Sequence, residues 1–181
     1  MKFILYSFIL LFSCFYNFTI IAKTGTVTGL DIPRFVSLKS NNANLRIGPS
    51  VNYPIEIKYV KKNLPIEVVE EFDVWRKVKD YDNNIGWLHK SLIKGDRFAI
   101  INQPYNENIQ ILNKPRGKII GEIGKNNIVK IKKCLTDWCK IKIKKKNGWV
   151  NKNNLWGIYK DEKINVPFYQ TIINQLWKIN F

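Results

Sequence analysis

Residues 72–93 read FDVWRKVKDYDNNIGWLHKSLI, and a related phrase returns at 135–156 as LTDWCKIKIKKKNGWVNKNNLW. With single-residue gaps allowed, Trp75 matches Trp138, Gly86-Trp87 matches Gly148-Trp149, and Leu92 matches Leu155. Upstream, LPIEVVEEF from Leu64 matches NIVKIKKCL from Asn127. Further back, NLRIGP at 44–49 matches QILNKP at 110–115, less well. Self-similarity over about sixty residues predicts two tandem modules. We place them at 38–93 and 99–157, joined near 94–97, with a linker at 23–37 before the first and a tail at 160–181 after the second.

Both modules read as short strands. Ile55, Ile57 and Tyr59 alternate with polar residues, as do Leu64, Ile66 and Val68, and as do Cys139, Ile141 and Ile143. A period of two, in short runs separated by Gly, Asn and Asp, predicts strands; no helical period is sustained in either module. Modules of this size close their sheets as compact barrels, which removes exposed edges. The expected class is all-β: two tandem small barrels.

Further landmarks converge on one family. NLRIGPSVNYPI from Asn44, KKNLPIEVV from Lys61, VWRKV from Val74 and IGWLHKSLI from Ile85 together resemble the bacterial Src-homology-3-like (SH3-like) domain family. That family runs Asn-x-Arg-x-Gly-Pro, a turn with Tyr-Pro, an alternating strand, Trp-x-x-Val and Gly-Trp-Val. The second module keeps the Trp and Gly-Trp landmarks but has Leu112-Asn113-Lys114-Pro115 in place of Arg-x-Gly-Pro, so it is a divergent copy. The resemblance implies small β-barrels used as non-enzymatic binding modules, often exported and often targeted to cell wall.

Within NLRIGP a turn-forming role is expected: Gly48 can take a positive φ, and Pro49 fixes the turn. Leu45 and Ile47 are expected to face inward and Arg46 outward. Ligand-binding candidates are Trp75, Trp138, Arg46 and Tyr53. Trp75 falls on the opposite face from Val78, and Trp138 opposite Ile141, so both rings are expected to point out or to cap a barrel end. A Trp at this point of SH3 domains in signalling proteins lines the peptide groove, and aromatic faces suit proline-rich peptides and sugar rings. Trp87 and Trp149, each after a Gly in a central strand, are expected in the cores.

Catalysis lacks parts. His89 is the only histidine and reads as structural. Glu67, Glu70 and Glu71 cluster on the expected solvent face of a strand, without the two carboxylates facing one cleft that a glycosidase needs. Neither a metal site nor a cofactor is expected.

The compartment follows from the ends. The stretch 1–22, MKFILYSFILLFSCFYNFTIIA, has the basic, apolar, small-residue order of a signal peptide cleaved after Ala22. The alternatives are an uncleaved inner-membrane anchor and, ranked last, a lipoprotein site at Cys14. All three predict export to the periplasm, where the close pair Cys134 and Cys139 is expected as a disulfide. A formal charge of +16 would draw the chain to anionic polymers or lipid surfaces, while export argues against nucleic acid. In the tail, Phe168, Ile172, Ile173, Leu176 and Trp177 fall at helical spacing, so 160–181 is expected to form a short helix, docked on the second barrel or touching a membrane surface. The expected ligand is cell-envelope material, peptidoglycan or its peptide or another anionic envelope polymer; the alternative is an adaptor that binds an envelope protein or proline-rich peptide.

Overall fold

The computed structural model describes residues 23–103 and 108–167. The expected signal segment (1–22) lies outside the described residues, as does most of the expected tail helix (160–181). The described part of that tail, 160–167, is non-helical and holds a bridge from Ile164 to Cys134. No helix among the described residues is long and apolar enough to cross a membrane.

Strands β1 (Lys23–Thr24) and β2 (Asp31–Ile32) form a small ribbon. The first large sheet contains β3 (Arg34–Leu38), β4 (Ala43–Arg46), β5 (Ile55–Tyr59), β6 (Pro65–Phe72), β7 (Trp75–Lys79), β8 (Ile85–His89) and β9 (Ile93–Lys94). Its order is β5-β4-β8-β7-β6-β3-β9. The second contains β10 (Phe98–Ile101), β11 (Ile109–Leu112), β12 (Ile119–Ile123), β13 (Ile128–Cys134), β14 (Trp138–Ile143), β15 (Lys146–Asn151) and β16 (Leu155–Trp156). Its order, β12-β11-β15-β14-β13-β10-β16, is the first with seven added to every label. All of β3 but Leu38 lies in the stretch expected as a linker.

The registers repeat as well. Lys77 pairs with Trp87 and Val78 with Gly86; Lys140 pairs with Trp149 and Ile141 with Gly148. Leu38 pairs with Ile93 and Ile101 with Leu155, so the counterpart of Leu155 is Ile93 and not Leu92. Each sheet sends side chains from its strands into one cluster. Leu38, Leu45, Ile66, Val68, Val78 and Leu88 meet in the first; Ile101, Val129, Ile131, Ile141 and Val150 meet in the second. A flat sheet cannot bring strands three and four places apart into mutual contact, so each sheet curls around its own core.

The Gly of each Gly-Trp pair makes the curl feasible. A Cβ on Gly86 would lie 2.7 Å from Leu45 Cγ and 2.8 Å from the Arg46 carbonyl oxygen, and one on Gly148 would collide with Ile111. Strands β4 and β8, and β11 and β15, therefore cross where no side chain fits.

The opening loop folds differently from expectation at two residues. Ile47 is 55% exposed, because β4 ends at Arg46 and the alternation does not continue into the loop; the bulge beside it puts the extra residue, Glu56, on β5. Gly48 does not take a positive φ. Its missing side chain instead makes room for the Tyr53 ring, whose Cγ would be 2.6 Å from a Cβ.

At one end of each barrel the two copies use different chemistry in the same place. Glu71 pairs across the β6–β7 hairpin with Arg76, and Cys134 pairs across β13–β14 with Cys139. Glu71 and Arg76 are buried with an N–O separation of 3.4 Å. The cysteines are joined in a disulfide and fully buried. Each end is covered by a flank of the chain. Val27 and Thr28 donate backbone N–H groups to Glu71 at 3.0 and 2.9 Å, the Thr28 hydroxyl adds a third bond, and Arg34 lies 2.6 Å away. Ile164 exchanges two backbone bonds with Cys134, and buried Lys152 donates to the carbonyls of Lys160 and Glu162.

The barrels meet along an aromatic seam. Phe35 lies between Trp156 and Tyr159, with centroids at 5.2 and 4.7 Å. Tyr81 packs on Trp156 and donates to Asn102, and Tyr159 donates to Glu67. Gly157, at φ +109°, sits against the Phe98 carbonyl and Pro65, a conformation and a space that suit glycine alone.

Candidate functional site

Arg46 and Tyr53 come together on the first barrel. The Arg46 guanidinium donates to the Tyr53 carbonyl at 2.6 Å, and Ile47 N–H donates to the Pro54 carbonyl. Both side chains hold the NLRIGPSVNYP loop shut. Arg46 is also the cross-strand partner of Trp87.

Trp87 and Trp149, expected in the cores, lie half-buried on the outer faces. The reason is simple alternation. Gly86 and Gly148 pair with inward-facing Val78 and Ile141, so the next residue must point out. Lys77 Nζ stands 5.8 Å from the Trp87 centroid, and exposed Phe72 meets its edge at 6.5 Å. Trp75 does face away from Val78, yet it is only 7% exposed, with His89 set edge-on at 5.5 Å. His89 also accepts from Ser91 N–H to cap the 3-10 turn Lys90–Leu92. Its contacts are those of a structural residue.

Trp138 is the exception among the four candidates. It belongs to the second barrel, apart from the other three, and lines a cleft of about 270 Å³. The remaining wall is mostly amide: Gln103, Asn108, Gln110, Asn151 and Asn154, with Leu112 and Ile109 beside them. Asn151 is occupied in capping, accepting from Asn153 N–H at 2.9 Å. The Gln103 Oε1 is buried and has no hydrogen-bond partner among the described residues. A flat apolar ring beside amide donors and acceptors suits a ligand with a carbon face and a hydroxyl or amide edge, such as a sugar ring or a peptide unit. The first barrel has no such wall: Asn151 and Asn154 have His89 and Leu92 as counterparts, and Trp75 is covered.

Sequence reasoning missed the buried acids. Glu67 and Glu71 are 7% and 6% exposed, against the solvent face expected for them. The Glu71 carboxyl is raised by burial but lowered more by its bonds from Thr28, Arg34 and Val27, and settles at about 2. Burial, then the hydrogen bond to Asp80, pushes the Tyr59 phenol far up. Among the described residues, no group of three or more His, Cys, Asp or Glu is placed to hold a metal ion.

Comparison with known proteins gives one family match. The family model described as bacterial SH3 domain matches residues 39–95 and 114–157. Among solved structures, the chain is similar to an NlpC/P60 family protein from Bacillus cereus at 14% identity and a TM-score of 0.29, over 77% of this chain and 61% of that one. The chain thus spans less than two thirds of that protein's length. No curated protein matches the chain.

Proposed function

Because the chain belongs to the bacterial SH3 domain family, we propose that it is a non-enzymatic binding protein of the periplasm that recognises cell-envelope material, peptidoglycan or its peptide. The observation that carries this reading is the Trp138 cleft, where an aromatic face and a Gln103 oxygen with no partner among the described residues share one small space. The basic, apolar, small-residue order of 1–22, read as a signal peptide, supports the compartment. The excess of lysine supports attraction to anionic polymers in general, and the cleft supports recognition of one unit.

Co-sedimentation with purified sacculi, over a series of salt concentrations, tests the proposal. Charge-driven binding fades as the Debye length falls from about 10 Å at 0.1 M to roughly 3 Å at 1 M, whereas stacked contacts are hardly screened. Wild-type protein is expected to leave a salt-resistant bound fraction. Trp138→Ala should lose that fraction while keeping its melting temperature within a few degrees. Trp75→Ala should instead destabilise by about 3–5 kcal/mol, as expected on truncating a buried Trp. Complete loss of wild-type binding at high salt would overturn the reading and leave only a basic coat. Retention on a partner envelope protein but not on sacculi would favour an adaptor.

A further inference from the structure

Among the described residues, the second barrel is open at the end of β14 away from Trp138. A cleft of about 690 Å³ enters between β12 and the β14–β15 turn, floored by Ile111, Ile120, Ile123 and Ile143. Its rim carries the lysines at 144–146 and one acid, Glu122, which accepts from Asn108 Nδ2 at 3.3 Å. Among the described residues, those three lysines have no ion pair.

The corresponding end of the first barrel holds a smaller cleft of about 350 Å³ with a different lining. By register, Ile123 and Ile143 have Tyr59 and Asp80 as counterparts. Tyr59 donates to Asp80 at 2.8 Å, and Asp80 also accepts from Asp82 N, Asn84 N and Asn84 Nδ2 at 2.9 Å. Those buried polar side chains narrow the end of the first barrel and make its lining polar. Two isoleucines in their place leave apolar walls with a cationic turn above, and among the described residues no side chain stands between them.

We propose that this open end binds a single aliphatic chain that carries a carboxylate or phosphate head. The chain lies on the isoleucines, where it leaves water, and the head meets the lysine turn, where three ammonium groups outnumber one carboxylate. The apolar floor has no role for a bare inorganic anion, and the lysines disfavour a neutral or cationic head. This site is separate from the Trp138 cleft, so either reading survives the failure of the other.

Calorimetric titration of the full chain with monomeric laurate and dodecyl phosphate, below their micellar concentrations, tests it. Saturable one-to-one binding is expected, at least tenfold weaker for dodecyl maltoside and for dodecyltrimethylammonium, and absent for inorganic phosphate. Replacing all three lysines (K144A, K145A, K146A) should weaken the anionic chains tenfold or more and leave dodecyl maltoside unchanged. Gly121 lines the cleft, and a Cβ there meets nothing within 4 Å. Gly121→Leu should therefore weaken every chain without lowering the melting temperature. Should it unfold the barrel, the lysine variant still decides. Equal affinity for the neutral chain overturns the proposal. So does binding confined to phosphatidylglycerol vesicles, tighter binding of an acidic apolar peptide, or a concentration-dependent dimer that hides the cleft.

Discussion

Glu71 holds the 23–32 flank against the first barrel, and its depressed pKa makes that attachment depend on pH. Its folded value of about 2 lies below the ordinary 4.5. The stabilisation is therefore fully present above about pH 4.5 and is lost as pH falls toward 2, amounting to roughly 3 kcal/mol at neutral pH. Urea unfolding between pH 2 and 7 should show this loss, and Glu71→Gln should start lower and flatten the acid limb. An unchanged acid limb in Glu71→Gln would assign the titration elsewhere. Gly86 gives a second test at this scale. A methyl group there meets the Arg46 carbonyl at 2.8 Å, and backbone cannot step aside as a side-chain tip can. Gly86→Ala should cost about 1–3 kcal/mol, read as a lower melting temperature. The burial of Glu71 was hidden in the sequence by a bulge. Strand β6 shifts register between Val68 and Glu70, so Glu71 returns to the face of Val68 despite its odd spacing. Simple alternation put it in solvent. At Trp75 alternation named the right face, but a residue on the outer face is still buried when a neighbour such as His89 covers it.

At the scale of elements, the hairpins carry most of what was legible. Alternation, the spacing of the Trp and Gly-Trp landmarks, and the loop between Cys134 and Cys139 all survive in the registers, because they depend on neighbours close in sequence. The pairing of β3 with β9 and of β10 with β16 depends on distant segments, and local pattern does not announce two-residue strands. The disulfide ties the β13–β14 hairpin at its closed end. Crosslinking so short a loop should stabilise the second barrel by about 2 kcal/mol on the chain-entropy model. Mild reduction, or Cys134→Ala with Cys139→Ala, should lower the unfolding temperature of the second barrel. Amide exchange in β6–β8 should stay as protected as before. Equal loss of protection in both barrels would mean that they unfold as one unit.

The whole molecule is two copies of one fold with unequal charge. Between 98 and 157 there are thirteen Lys and Arg against three Asp and Glu; between 34 and 97 there are twelve against eight. Ion pairs explain part of the difference. Glu67 and Glu70 sit 2.9 and 3.3 Å from Lys79 and Lys77, while their counterparts on β13 are Lys130 and Lys133. The seam around Phe35, Trp156 and Tyr159 joins these unlike halves, and no spacing rule foretold it because its members lie far apart in the chain. Phe35→Ala should remove the ring shared by both others, costing about 3–5 kcal/mol. It should also move the unfolding temperatures of the two barrels further apart and expose the 94–97 connection to protease. Unchanged unfolding temperatures with unchanged cleavage would show that the barrels cohere without the ring.

The exchange of Glu71 and Arg76 for Cys134 and Cys139 has a consequence for how the molecule fails. One clasp opens when protons arrive and is indifferent to electron donors; the other opens when electron donors arrive and is indifferent to protons. The repeat has left the same barrel end with two independent fuses. A change of surroundings that loosens one half leaves the other standing, still able to hold whatever it has bound.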